Sequence, residues 1–338
     1  MNLALVRFQS HSQTGHFDEL HNCLMSAAGL KFDSTWTWDL QGLTNEIKLQ
    51  DLSRRIYDFS PEFIHLEWLH DFESELLEVS AIFDKFKVNW TTVGSISHLV
   101  RGSFRNHELS EKLRIAANSP YLKGIYIWDS ELALEVRDDF PRLFSLPDYQ
   151  DITVAEEYKS CCRWAERQKK EILGLVGQLY SYRGVTQLLK WWRKNPTQPI
   201  LFAGKLEQKS LPLSQNVLLK VGQILRRIFL KSEWIKESSL LNHYLLHLDA
   251  LFIDTLSYPQ PSGIATRARH LGIPVLILRA DSYLLDKSKS DHGIRVIDFS
   301  KMSLEEINYE IMQGKSFGSV KAPTVMDQTD AIVKGWEA

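Results

Sequence analysis

Short apolar runs rich in β-branched and aromatic residues alternate with longer amphipathic segments along almost the whole chain. This alternation is typical of a parallel sheet with helices on both faces. In the first half, strands are predicted over residues 3–8, 32–38, 63–68, 88–93 and 124–128, and helices around residues 16–28, 46–58, 72–86 and 107–118.

The alternation pauses at residues 144–151 and then at a polar helical stretch over residues 155–170, which is the best candidate for an interdomain linker. It resumes with strands predicted over residues 172–176, 200–203, 250–253, 273–278 and 294–299. The predicted fold class is therefore α/β, with two Rossmann-like domains that face each other across a cleft. Their predicted bounds are residues 1–152 and 153–325, followed by a tail over residues 326–338 that could pack back on the N-terminal domain.

Composition narrows the class of protein. With 338 residues, 44% hydrophobic and 24% charged, the chain is typical of two soluble domains, and its net charge of -2 offers no general attraction to nucleic acid. The N-terminal apolar run is too short for a signal peptide, and nowhere do about 18 apolar residues run together as a membrane span requires. We therefore expect a cytoplasmic protein.

The three cysteines are Cys23 and the adjacent pair Cys161 and Cys162. They lack the spacing of metal ligands, and adjacent cysteines rarely bridge each other. We therefore expect reduced thiols, with neither a zinc site nor a disulfide framework.

Two small-residue turns carry the functional prediction. Residues 177–184 (Gly-Gln-Leu-Tyr-Ser-Tyr-Arg-Gly) follow an apolar run, and Ser262-Gly263 opens a stretch of helical pattern. Each is typical of a strand that feeds a helix through a tight turn, where an α/β domain leaves backbone N–H groups available to phosphate. Together they indicate a nucleotide-sugar site.

The order of these segments resembles that of the GT-B fold glycosyltransferases, particularly the family 4-like bacterial enzymes that build capsular polysaccharides and exopolysaccharides. Residues 177–184 are similar to the family's Gly-x-Ile-Arg-x-Tyr-Lys-Gly stretch, with Arg183 at the lysine position. Residues 199–205 are similar to the strand and Ala-Gly turn that follow it, and residues 262–275 match a Ser-Gly form of the donor loop at the family's spacing.

The chain also departs from that pattern. Many family 4 enzymes carry two glutamates around the donor loop, and those positions fall on Pro259 and Arg267 here. The Ser-Gly subgroup commonly lacks both carboxylates, so the departure indicates a subgroup and removes the usual contact with the donor sugar.

The resemblance implies retaining glycosyl transfer without a bound metal, in which a cation and a helix N-terminus stabilise the departing diphosphate. Arg183 would bind phosphate in a bidentate contact, and Lys205 would supply a second cation. The donor-binding residues predicted in this way are Gly177, Arg183, Gly184, Lys205, Ser262, Gly263 and Ile264. A plainer interpretation stays open, because solvated surface cations and strand-ending glycines are common.

The first half offers weaker matches. Residues 64–68 resemble a recurrent His-x-His-Trp segment at a strand end, and residues 92–98 loosely resemble a Thr-Val-His-Asn turn whose first histidine would fall on Gly94. His98 is the imidazole left near that turn and is the predicted catalytic residue. The residues assigned to the acceptor side are Gly15, His16, His65 and Glu67, with Asp18 as a weaker candidate, although most of the 11 histidines must be packing or surface residues.

Basic and aromatic residues are interleaved over residues 190–194 and 218–236. Such an amphipathic surface could touch anionic lipid, which would suit a lipid-linked acceptor and peripheral contact with the inner face of a membrane. The helices of any α/β domain, however, need an apolar face toward the sheet and often carry a basic outer face.

The resulting prediction is a glycosyltransferase that moves a sugar from a UDP- or GDP-linked donor to a glycan or lipid-linked acceptor, in polysaccharide or glycoconjugate biosynthesis. The nucleotide sugar is a co-substrate, and neither a metal nor a further cofactor is expected. One alternative is a catalytically degenerate binding or scaffold subunit, which the missing histidine turn and glutamates motivate. Another is a different two-domain α/β enzyme, such as a sugar-nucleotide epimerase that needs no acceptor.

Overall fold

The computed structural model describes most of the chain. The described residues are 1–7, 15–40, 45–67, 69, 72, 74–94, 107–128, 133–134, 142–154, 159–177, 179, 184–206, 211–233, 235, 237–254, 262–278 and 283–337.

The chain divides into two compact units. Unit 1 comprises Met1–Gln13, Phe17–Tyr149 and Pro323–Ala338, and unit 2 comprises Thr14–His16 and Gln150–Ala322. The two main junctions lie three residues before the boundaries predicted from the sequence, at 152/153 and 325/326.

Each unit contains a six-stranded sheet in which every pair of neighbours is parallel. The strands of unit 1 are β1 (Asn2–Arg7), β2 (Ser34–Asp39), β3 (Phe63–Leu66), β4 (Asn89–Val93), β5 (Leu122–Ile127) and β6 (Leu143–Ser145). Those of unit 2 are β7 (Leu173–Val176), β8 (Ile200–Ala203), β9 (Ile228–Lys231), β10 (Ala250–Ile253), β11 (Val275–Leu278) and β12 (Ile294–Ile297).

Helices connect these strands. They are α1 (Gly15–Lys31), α2 (Asn45–Phe59), α3 (Leu76–Phe86), α4 (His107–Ala117), α5 (Lys159–Ala165), α6 (Val185–Lys194), α7 (Leu213–Ile224), α8 (Ser238–Leu246), α9 (Gly263–His270), α10 (Tyr283–Ser290), α11 (Leu304–Ser316) and α12 (Val325–Glu337). None of the helices in the described ranges is both long and apolar enough to cross a lipid bilayer.

Burial explains why the central strands are continuous apolar runs instead of alternating ones. In β1, Leu3, Leu5 and their neighbours are completely or almost completely buried, as are all four residues of β10. A parallel sheet covered by helices on both faces leaves neither face for polar side chains. The predicted α/β class is confirmed, and all ten predicted strands are present.

Two further strands, β6 and β9, lie where the sequence predicts a linker and part of a basic amphipathic stretch. Both are edge strands and are only partly buried. They are also short, with three and four residues, so they offer few positions from which a pattern can be identified.

The C-terminal helix α12 completes the core of unit 1. The Trp336 ring packs against Phe32 and Phe63, and its Nε1 donates to Thr91 Oγ1 over 3.1 Å. Tyr126 Oη donates to the Ile332 carbonyl over 2.8 Å. Helix α12 therefore belongs to the same core as β3 and β5, far away in sequence.

Strand order identifies the point in each sheet where a ligand is expected. In unit 1 the order is β2-β1-β3-β4-β5-β6, so the chain reverses direction across the sheet between β1 and β3. In unit 2 the order is β12-β11-β10-β7-β8-β9, and the reversal lies between β7 and β10. Open α/β sheets bind ligands outside the carboxyl ends of the strands at such a switch point.

Candidate functional site

The carboxyl ends of β7 and β8 meet in a close backbone contact. Gly177 N donates to the Ala203 carbonyl over 2.8 Å, and Gly204 N donates to the Lys231 carbonyl over 2.9 Å. Both glycines have positive φ, +104° for Gly177 and +141° for Gly204. A Cβ on Gly204 would overlap the carbonyl group of Gly177, so a side chain at that position is incompatible with the contact.

Gly184 connects the start of α6 with the end of β10. It is the N-cap of α6 and has a φ of +105°. A Cβ there would come within 2.7 Å of the Phe252 ring and 3.3 Å of Asp254 Cβ. The glycine thus lets the turn after β7 approach β10 across the switch point of unit 2.

Asp254, which the sequence analysis missed, follows β10 directly and is completely buried. Its position after four buried apolar residues was the available signal, because a polar residue at the carboxyl end of a central strand lies at the ligand edge of a parallel sheet. Asp254 places a carboxyl group at the switch point itself.

The start of α9 offers backbone amides to an anion. Ser262 is the N-cap in an extended conformation, and its carbonyl accepts from Ala265 N over 2.9 Å and Thr266 N over 3.1 Å. The amides of Gly263 and Ile264 occupy the first two helical positions, where a helix offers no acceptor of its own. The positive end of the helix dipole adds to their attraction for phosphate.

The remaining donor-side predictions have different outcomes. Lys205 is exposed and directly follows Gly204, and its carbonyl accepts from Leu179 N over 3.1 Å. Arg183 and the predicted catalytic His98 lie outside the described residues. The structure therefore brings Gly177, Gly184 and Gly204 together at the carboxyl ends of the strands of unit 2. The roles of Arg183 and His98 stay predictions.

Arg267, at one of the two glutamate positions of many family 4 enzymes, has a structural role. Its guanidinium is buried, donates to Gln150 Oε1 over 2.9 Å and Asn242 Oδ1 over 3.1 Å, and also donates to the Asp151 carbonyl. These contacts hold the first residues of unit 2 against α8 and α9.

The switch point of unit 1 carries a charged cluster of Arg7, His21 and Glu67. Glu67 follows β3, and its carboxylate accepts from Arg7 Nε over 2.8 Å and lies 2.9 Å from His21 Nδ1. All three side chains are partly exposed, at 25%, 21% and 14% for Arg7, His21 and Glu67. Burial alone would raise the pKa of Glu67, but hydrogen bonds and charge from His21 and Arg7 hold it below the ordinary value.

Glu67 was predicted from the sequence, whereas Arg7 and His21 were missed. Arg7 ends the first strand, which was a usable signal, because the end of β1 adjoins the switch point. His21 carried no local signal, since only the packing of α1 brings it to Glu67. The cluster joins an ionised carboxylate to an imidazole and a guanidinium, which suits hydrogen bonding to sugar hydroxyl groups.

His65 is a core residue, and its assignment to the acceptor side is wrong. The ring is completely buried beside Tyr126 and Trp336, and its Nδ1 lies 2.8 Å from Thr91 Oγ1. Desolvation lowers the pKa of His65 to about 4. His65 and Glu67 are two residues apart, so their side chains lie on the same face of the sheet. His65, however, lies inside the strand, where α12 covers it.

Two other acceptor-side residues, Gly15 and His16, form the start of α1. The side chains of His16 and of Asp18 lie outside the part of the chain that the structure describes. Their predicted contact with an acceptor stays a prediction.

Several solved structures resemble the chain over its full length. HepE from Anabaena in complex with UDP and glucose has a TM-score of 0.69 at 9% identity, covering 99% of this chain and 99% of its own. Sucrose-phosphate synthase from Thermosynechococcus elongatus has a TM-score of 0.64 at 12% identity, covering 100% and 96%. A glycosyltransferase from Rickettsia africae has a TM-score of 0.63 at 8% identity, covering 99% and 96%.

The sequence itself matches no protein-family model and no curated protein. At identities of about one residue in ten, the structural likeness reports the fold and leaves the activity to be argued from the site. The chain has the GT-B fold, with two doubly wound parallel sheets.

Proposed function

We propose that the chain is a glycosyltransferase that moves a sugar from a UDP- or GDP-linked donor to a glycan or lipid-linked acceptor, in polysaccharide or glycoconjugate biosynthesis. The observation that carries the proposal is full-length similarity in fold to HepE, which was solved with UDP and glucose. It is supported by the glycine turns and the open helix start at the ligand edge of unit 2.

The diphosphate would bind in unit 2. Glycosyl transfer leaves negative charge on the β-phosphate as the bond to the anomeric carbon breaks, so fixed donors aimed at that group lower the barrier. The amides of Gly263 and Ile264, with Arg183 and Lys205, would supply them, while Gly177 and Gly204 allow the backbone to approach the ligand. This arrangement needs no metal at the phosphate, and retention of anomeric configuration follows from the family resemblance.

The acceptor would bind to unit 1. Glu67 is held ionised by His21 and Arg7, and this partly exposed cluster can accept and donate hydrogen bonds to sugar hydroxyls. His98 remains the proposed catalytic residue, and Gly15 and His16 complete the proposed acceptor side. His65 has no place in this set because it is buried in the core.

Thermal unfolding with a panel of UDP, GDP, ADP and their sugars tests donor binding. Ligand at ~100 times its dissociation constant adds roughly 2.7 kcal/mol to the free energy of unfolding, which a melting curve resolves. One nucleotide class should raise the melting temperature, and Arg183→Ala should abolish the rise. The matched control is Arg114→Ala, which removes a half-exposed arginine of α4 and should leave the shift unchanged.

The degenerate-subunit alternative makes the opposite prediction. If no nucleotide changes the melting temperature of the unaltered chain, donor binding is absent and the scaffold interpretation replaces the enzyme. If a nucleotide sugar is bound but consumed without any acceptor, the epimerase interpretation replaces it. Product analysis with and without a glycan or lipid-linked acceptor separates these outcomes.

The proposal includes peripheral contact with an anionic membrane, and α7 would form the contact surface. Leu213, Val217, Val221 and Ile224 form an exposed apolar stripe along this helix, with exposed fractions of 81%, 51%, 41% and 79%. Basic residues surround the stripe, on α7 itself and on the neighbouring α6: Lys190, Arg193, Lys194 and Lys220. Apolar residues rimmed by cations suit insertion between anionic headgroups.

Vesicle cosedimentation tests the contact. The chain should bind vesicles of phosphatidylcholine with phosphatidylglycerol, should bind pure phosphatidylcholine poorly, and should lose binding in a Leu213→Ser, Ile224→Ser variant. Met312→Ser, at a half-exposed position on α11, is the control. Equal binding of the stripe variant and the unaltered chain would remove membrane contact from the proposal.

A further inference from the structure

Three potential metal ligands converge between α5 and α8 in unit 2. Cys162 Sγ lies 3.6 Å from His243 Nε2 and 3.4 Å from His247 Nε2. The three ligand atoms all lie within 4.8 Å of one another, and the two imidazole centroids are 4.9 Å apart. His243 is buried, and Cys162 and His247 are half-buried.

The two sulfur–nitrogen distances match those between two ligands of one metal ion. With a Zn–S bond of about 2.3 Å and Zn–N bonds of about 2.0–2.1 Å, tetrahedral geometry separates sulfur from nitrogen by about 3.5–3.6 Å. The two measured separations, 3.4 Å and 3.6 Å, bracket that value. A thiol carries one proton and can donate to only one of two imidazole acceptors, whereas a metal ion engages all three atoms at once.

Helix geometry explains the convergence. His243 and His247 are four residues apart at the end of α8, so their rings lie on one face of the helix. Cys162 lies on α5, whose end is held at the turn before β9 by the hydrogen bond from Trp164 Nε1 to the Arg226 carbonyl over 3.0 Å. The ligands therefore come from two helices whose positions the sheet sets independently.

Glu166 could supply a fourth ligand. It is exposed and lies one turn after Cys162, and its backbone N donates to the Cys162 carbonyl over 2.9 Å. The spacing of four residues puts both side chains on one side of the helix end, so a change of the Glu166 rotamer would bring its carboxylate toward the cluster.

We propose that Cys162, His243 and His247 bind a divalent metal ion of the zinc class, with Glu166 or water as the fourth ligand. A thiolate with two imidazoles favours Zn²⁺ over Mg²⁺ or Ca²⁺, which prefer oxygen ligands. The site lies where β7 and β10 begin, since His247 precedes the first residue of β10 by three residues. The proposed donor groups lie where these strands end, so the metal joins α5 to α8 and takes no part in sugar transfer.

The experiment is metal analysis and thermal unfolding of the full chain after chelation and reconstitution. One equivalent of zinc per chain should bind and raise the melting temperature by roughly 5–10 °C. Cobalt in its place should give the charge-transfer absorption of a thiolate ligand. Cys162→Ser and His247→Ala should lose both signals, while Cys161→Ala and His292→Ala, which alter residues outside the cluster, should keep them.

A measurement on the unaltered chain guards against variants that fail to fold. Zinc should slow alkylation of Cys162 at least tenfold, as read by peptide mass spectrometry. Unchanged alkylation, substoichiometric zinc or cobalt absorption without thiolate character would each overturn the proposal and leave a thiol beside two imidazoles with no metal. A cobalt spectrum unaffected by His247→Ala would do the same.

Discussion

The carbonyl group of Gly177 occupies the space that a Cβ on Gly204 would need. These residues are the first after β7 and β8, and Gly177 N donates a hydrogen bond to the carbonyl of Ala203, the residue before Gly204. The two strands therefore end in direct backbone contact, and the turns that follow them start from one point. In the proposed enzyme that point would border the donor phosphate.

Gly204→Ala should lower the free energy of unfolding of unit 2 by at least about 2 kcal/mol, because it adds a backbone clash to a strained φ of +141°. Urea unfolding measures the loss. Gly318→Ala is the matched control, since Gly318 has a φ of +61° with nothing within 4 Å of a new Cβ. The control should lose only about 1 kcal/mol, and equal losses would show that the Gly177 contact does not constrain residue 204.

Gly263→Pro should weaken donor binding while preserving the fold. Proline is well tolerated at the first position of a helix and removes one N–H group there. Ser262 already has φ -123° and ψ 103°, an extended conformation that a following proline favours. Losing one hydrogen bond to a charged phosphate should raise the dissociation constant about 10- to 100-fold.

The control for that proline is Gly263→Ala, which adds a Cβ but keeps the N–H group. Calorimetry with the nucleotide identified by thermal shift compares the two variants. Near-native affinity in the alanine variant and a large loss in the proline variant are expected. If both bind equally well, the start of α9 does not hold the phosphate.

Acid should destabilise unit 1 through His65. Its pKa is about 4 in the folded chain and about 6.5 when unfolded, so below pH 6.5 the unfolded chain binds a proton that the folded chain does not. This stability is present above the unfolded pKa and is lost as pH falls toward 4. Between pH 7 and pH 5 the loss from this group is about 2 kcal/mol.

His65→Asn tests that assignment. Asparagine can still hydrogen-bond to Thr91 but does not titrate, so the variant should lose about 2 kcal/mol less than the unaltered chain between these pH values. Urea unfolding at pH 7 and pH 5 gives the difference. A variant with the same pH dependence would place the acid sensitivity on other groups.

Most of the fold could be predicted because buried parallel strands form continuous runs of apolar residues in the sequence. The run Leu3-Ala4-Leu5-Val6 is typical of a strand in a sheet covered on both sides, and β10 has the same character. Strands β6 and β9 were missed, although the edge strands β2 and β12 were predicted. The run Leu143-Phe144-Ser145 is too short to stand out, and Ile228-Phe229-Leu230 lies in a basic stretch that was interpreted as an amphipathic surface.

The site was harder to predict because a buried position and a partly exposed one can lie only two residues apart along the same strand. His65 and Glu67 share a face of β3, yet one is buried beneath α12 and the other reaches Arg7 and His21. Helix α12 lies some 260 residues later in the chain, so nothing near His65 signals its burial. The same distance effect hid the pairing of Cys162 with His243 and His247.

Glu67→Gln should weaken acceptor binding and leave donor binding intact. The substitution keeps the shape but removes the charge that orients His21 and Arg7. It should also lower the free energy of unfolding at pH 7 by about 1–2 kcal/mol.

The pH dependence identifies the origin of that loss. The pKa of Glu67 is lowered by folding, so its contribution is present above the unfolded value of 4.5 and disappears as pH falls through the folded value. Urea unfolding should therefore show the variant and the unaltered chain converging in acid. Glu62→Gln, at a more exposed carboxylate before β3, is the control and should change neither acceptor KM nor nucleotide-induced stabilisation. An unchanged acceptor KM in Glu67→Gln, with stability lost as expected, would make the cluster structural and move the acceptor away from this switch point.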